Sequence, residues 1–139
     1  MNRKPTKLSE EQIHRQCVRW LKAQYPKVMF ITDMSGVPMH PVTAAKMSAL
    51  RSCNGFPDIM IFVNKWEWNE DYKSPDIYSG LMLELKSKSP YLKDGTLSKE
   101  KHIQEQALVH DRLRAEGWKV VFVWSLDQFM KTVNAYMGI

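Results

Sequence analysis

Cysteine is nearly absent: Cys17 and Cys53 are far apart in the chain and lack the spacing of a zinc site. Cys17 falls on an apolar helical stripe, so both read as free thiols, which excludes a disulfide-stapled fold and points to a reducing compartment. No hydrophobic run approaches the length of a membrane span, and the basic start leads into an amphipathic helix, not the apolar core of a signal peptide. Internal repeats and low-complexity tracts are also missing. A cytoplasmic globular protein is expected.

What remains is an ordinary composition, with 44% hydrophobic and 25% charged residues over 139 positions, enough for one domain with a real core. The formal charge of +5 and pI of about 9.2 lean toward polyanionic partners, although many basic proteins bind no nucleic acid. The expected layout is a disordered basic lead over residues 1–8 and a single domain over residues 9–139.

Ser9-Glu10-Glu11-Gln12 has the form of a capping box, and Ile13, Cys17, Trp20 and Leu21 follow at helical spacing until Pro26. Lys27 to Thr32 reads as a short strand, and "DMSGVPMHPV" as a turn before a small helix near Thr43 to Arg51. Ile59 to Val63 is an apolar run suited to a strand covered on both faces. The polar stretch 64–80 reads as a long hairpin connection to a partner strand, Leu81 to Lys86. Ser98 is expected to cap a helix ending at Gly117; Lys119 to Trp124 reads as a strand and Ser125 as the cap of a last helix toward Tyr136. The order α-β-α-β-β-α-β-α implies an α/β fold, a mixed sheet flanked by helices.

Polar residues stand at several positions where the pattern wants apolar ones. Glu10 precedes Ile13 by three residues and shares its face, whereas Glu11 points away. It is either a partner of the helix dipole or part of a polar site. Gln106 lies on the line of Ile103, Val109/His110 and Leu113, where an amide needs hydrogen-bond partners; a nearby backbone would serve as well as a site. His102, near the same face, reads as a surface residue. Asp58 follows Pro57 at the head of a buried strand, and Glu84 and Lys86 alternate onto one face of another. They form either a strand end with a weak surface ion pair or a cation ligand beside a working ammonium. If the two strands pair, Asp58 and Glu84 converge, and like charges sharing a pocket need a cation to be ionised together. Such oxygen donors suit Mg²⁺ or Mn²⁺. Pro75-Asp76 repeats the Pro-Asp pair but lies in a turn-like segment, so Asp76 reads as a loop residue.

"GFPDIMIF", "LMLELKSK" and "EQALVHDRLRAEGWKVVFVWS", with "EEQIHRQCVRWLKAQYP" before them, resemble the VRR-NUC branch of the PD-(D/E)xK nuclease superfamily over nearly the whole chain. The chain looks like its stand-alone, phage-type members. The resemblance implies a restriction-endonuclease-like mixed central sheet flanked by helices. It also implies that Asp58, Glu84 and the carbonyl of Leu85 hold Mg²⁺ or Mn²⁺, and that Glu10 adds a carboxylate directly or through water. Lys86 would then activate the attacking water, with Gln106 positioning it. Lys88, Lys93, Lys99 and Lys101 are candidate DNA-phosphate contacts, each of which could equally be a solvated lysine. The activity implied is that of a structure-selective DNA endonuclease, in the manner of homodimeric four-way (Holliday) junction resolvases. Alternatives are a flap-, end- or duplex-directed nuclease, or a non-catalytic DNA-binding module; the intact acidic set argues against the last. A phage origin would place the protein in the bacterial host cytoplasm. Members of the group often carry an Asn-Gly or Arg-containing stretch where "DMSGVPMHP" stands, which leaves DNA contacts there open, and stretch 64–80 could serve substrate binding or a subunit interface.

Overall fold

The computed structural model describes residues 6–33, 38–68 and 70–138. Most of the expected basic lead (residues 1–5) and the centre of the turn before the second helix (residues 34–37) lie outside them. Helix α1, Glu10–Gln24, starts on the expected capping box: Ser9 accepts from the Gln12 amide while the Gln12 side chain accepts from that of Ser9. It buries Ile13, Cys17 and Leu21. Strand β1 (Phe30–Thr32) and helix α2 (Pro41–Ala49) follow, then strand β2 (Ile59–Ile61).

Stretch 64–80 corrects the expected element order. It holds strands β3 (Lys65–Trp68) and β4 (Pro75–Tyr78), paired as a separate two-stranded sheet. Asp76 therefore sits in a strand opposite Glu67, not in a loop. The cause is visible in Lys65-Trp66-Glu67-Trp68, whose period of two turns Lys65 and Glu67 inward and leaves both tryptophans outside. Glu67 takes a hydrogen bond from Lys119, and Lys65 donates to the Ala135 carbonyl, so inward charges rather than apolar residues dock the hairpin.

Strand β5 (Gly80–Leu85), helix α3 (Lys101–Ala115), strand β6 (Trp118–Val123) and helix α4 (Leu126–Met137) complete the chain. A second correction concerns α3: Glu100, not Ser98, is the N-cap residue, and no side chain caps the helix. Ser98 is held two residues earlier, its amide donating to the Pro90 carbonyl. Gly117 does end α3, at φ +90°, a conformation that favours glycine.

The main sheet runs β1-β2-β5-β6, antiparallel at the first two junctions and parallel at the third. Alternation along it separates two faces. Ile59, Ile61, Leu81, Leu83, Leu85 and Val123 join Ile13, Cys17 and Leu21 of α1 and Phe129 and Val133 of α4 in the core. Glu84 and Phe122 point to the opposite face, where His110 of α3 meets both.

Candidate active site

The register of β2 and β5 builds the site. Ile59 stands opposite Leu83 and Met60 opposite Met82, so one further step sets Asp58 against Glu84. Pairing ends there because Pro57 has no amide to offer. The Leu85 amide instead donates to Asp58 Oδ2 at 2.7 Å, and the Lys86 amide donates to the Val123 carbonyl at 2.9 Å on the other side. The carboxyl groups of Asp58 and Glu84 interact directly, and a proton on one of them relieves their repulsion. Burial, then the charge of Glu84, pushes Asp58 up to about 8. Burial likewise raises Glu84 to about 7 against the opposing pull of Lys86. The pair titrates as a unit near neutrality.

Glu84 is 2% exposed and Lys86 7%, so the E-x-K segment is no surface ion pair. Behind them stands α3. His110 is fully buried with Nε2 at 3.3 Å from Glu84 Oε1. Burial, then the charges of Arg114 and Lys86, lowers its pKa to about 4. The ring is therefore neutral at pH 7, with Nε2–H donating to Glu84 and Nδ1 without a partner among the described residues. Gln106, one turn earlier and also buried, has an Oε1 with no partner among the described residues.

Glu10 is exposed at the start of α1. It lines a cleft of about 340 Å³ with Lys86, Lys88, Tyr91, His102 and Ile103, and its charge contributes to the rise at Glu84. Among the described residues no group of three or more His, Cys, Asp or Glu side chains is placed to hold a metal ion, so Glu10 does not close a three-carboxylate cage. Two carboxylates that cannot both ionise unaided nevertheless fit a hard dication of the Mg²⁺ type. Such ions are bound through one or two carboxylates, with waters and substrate phosphates filling the rest. Lys88 reaches the cleft; Lys93, Lys99 and Lys101 are exposed outside its lining, Lys101 beside Glu105.

Sequence reasoning missed three neighbours. His110 sits on the inward line of α3, but nothing in the sequence names Glu84 as its partner. Asp33 ends β1, where its amide donates to the Asp58 carbonyl and its carboxylate takes two hydrogen bonds from Arg51. His14 is half-buried with Nε2 at 3.3 Å from Thr32 Oγ1; burial lowers its pKa, and the charge of Asp58 opposes that.

A solved structure described as a "VRR_NUC domain protein" is similar over 96% of this chain and 91% of its own length, with a TM-score of 0.60. The chain has the VRR_NUC fold. At 19% identity the likeness concerns the fold alone. No protein-family model matches the sequence, nor does any curated protein. The four-stranded mixed sheet with helices on its faces is the restriction-endonuclease-like architecture expected from the sequence, here in its VRR_NUC form. No helix among the described residues is long and apolar enough to cross a membrane.

Proposed function

We propose that this VRR_NUC-fold chain is a Mg²⁺- or Mn²⁺-dependent deoxyribonuclease that hydrolyses phosphodiester bonds, with branched four-way junctions as its preferred substrate. The observation that carries the reading is half-buried Asp58 set against buried Glu84, beside a buried lysine at the edge of an open cleft. Two carboxylates sharing one proton are arranged to exchange it for a hard cation.

Asp58, Glu84 and the Leu85 carbonyl would hold the ion, with Glu10 as a further acidic group directly or through water. The cation supplies positive charge against the phosphate oxygens and makes the attacking water more acidic. Lys86 would orient the attacking water and offset developing negative charge, and Gln106 would position Lys86 or that water from α3. His110 donates Nε2–H to Glu84 and fixes the carboxylate's direction. The junction preference and a homodimer with one site for each of two strands rest on the sequence resemblance to stand-alone members.

The test presents labelled four-way junction, flap, single strand and plain duplex to the purified chain with Mg²⁺ and with Mn²⁺. Cleavage of the junction ahead of the others is expected, lost in Glu84→Ala with DNA binding retained. Failure of the folded chain to cut any of the four with either metal would overturn the reading.

A further inference from the structure

A groove of about 540 Å³ lies outside the cleft that contains Lys86 and Lys88. It runs between α1 and β1. His14, Val18 and Thr32 line its half-buried side; Arg15, Arg19 and Lys22 form its exposed wall. At about 100° per residue these three cations occupy one stripe, opposite the core stripe of Ile13, Cys17 and Leu21. A solvated helix face needs no such concavity beside it.

The β1 wall of the groove borders the strand that starts just after Asp58. Thr32 pairs with Ile59, the residue after Asp58, and the next amide, that of Asp33, donates to the Asp58 carbonyl at 2.8 Å. Adjacent residues in the first turn of α1 line the two concavities, Glu10 the cleft and Glu11 the groove. A strand cut at Asp58 and Glu84 has two ends to place, and only one can lie along the Lys88 cleft. Among the described residues, Arg15 alone of the three cations has an acidic partner, Glu11 at 2.9 Å, in an exposed pair that a phosphate can displace at little cost.

We propose that the α1–β1 groove carries the nucleic-acid backbone on the side of the scissile phosphate away from Lys88, with Arg15, Arg19 and Lys22 as its phosphate contacts. This rests on the nuclease reading, since the carboxylate pair gives the path its origin.

The test removes two charges in two places: Arg19→Gln/Lys22→Gln in the groove, and Lys73→Gln/Lys131→Gln on exposed positions outside both concavities. Each is made in the full chain carrying Glu84→Ala, and affinity for a labelled junction is measured from about 50 to 200 mM salt. The groove variant should flatten the slope of log K against log salt by about 1.8, at about 0.9 per duplex phosphate contact, and weaken binding at least tenfold. The distal variant should change the slope by less than half as much. Equal slopes for the two variants, or no change in the groove variant with an unaltered melting temperature, would overturn the proposal. Cleavage by the chain with Glu84 intact is followed in parallel. Cutting with an unaffected slope removes the groove alone, whereas absence of cutting on every DNA removes the nuclease reading.

Discussion

Asp58, Glu84 and His110 form a chain of groups that could not each be charged alone. The pH dependence follows from the carboxylate pair. Burial raises both carboxylates, so the metal-free folded state keeps a proton that the unfolded chain has lost. That contribution to stability is present in acid and lost as pH rises through about 7 and about 8. His110 acts in the opposite sense below its ordinary 6.5, where the unfolded chain takes up a proton and the buried ring resists until about 4. The carboxylate effect is therefore read above pH 6.5. The urea midpoint of the chelator-treated protein should fall between about pH 6.5 and 8.5 and fall less in Asp58→Asn. His110→Leu should weaken Mn²⁺ binding by about 10–100-fold in titration calorimetry, with His110→Gln recovering part through its amide donor. Glu10→Gln should slow cleavage more than Glu11→Gln, because Glu10 faces the Lys86 cleft and Glu11 the outer groove; the reverse order would misplace the acidic ligand.

Among the elements, β5 bears the most constraint: every one of its six residues is buried, between β2 and β6 and between two helical faces. Its first residue is glycine because a Cβ there would come within 2.5 Å of the Ile61 carbonyl and 2.6 Å of the Trp118 ring. Gly80→Ala should lower stability by about 1–3 kcal/mol, measured as a shift in the urea midpoint, since backbone and a packed indole cannot both give way. The β3–β4 hairpin stands at the other extreme. Trp66 and Ile77 face each other on its outside, 59% and 72% exposed, so the hairpin is anchored by its inward charges and by Tyr136, whose hydroxyl donates to the Val63 carbonyl.

At the scale of the molecule, the helices hold the two sheet faces apart in chemistry. Helices α1 and α4 pack on the apolar face, while α3 covers the face that contains Glu84 and Lys86. Only the folded chain brings Asp58 to Glu84, so a cation bound there stabilises the folded state by mass action. At about tenfold excess over its Kd the gain is about 1.4 kcal/mol. The melting temperature should rise by a few degrees on adding Mg²⁺ or Mn²⁺ and should not rise in Asp58→Asn. An equal rise in that variant would place the cation elsewhere.

Local pattern made much of this legible in the chain itself. The capping box at Ser9, the stripe of Ile13, Cys17 and Leu21, the strands around Ile59 and Leu83, and the stop at Gly117 depend on neighbours within a turn or two. So does the placement of Glu84 and Lys86 on one strand face. Folding decided the rest, through long-range register and packing. The pairing of Ile59 with Leu83 sets Asp58 against Glu84, α3 delivers His110 behind them, and α1 and the end of β1 bring His14 and Asp33 alongside. It also made the 64–80 stretch a docked hairpin rather than a bare connection, because Lys119 and the Ala135 carbonyl, distant in sequence, receive its inward charges. Periodicity reports which way a side chain points relative to its neighbours; what stands opposite is settled only when the strands meet.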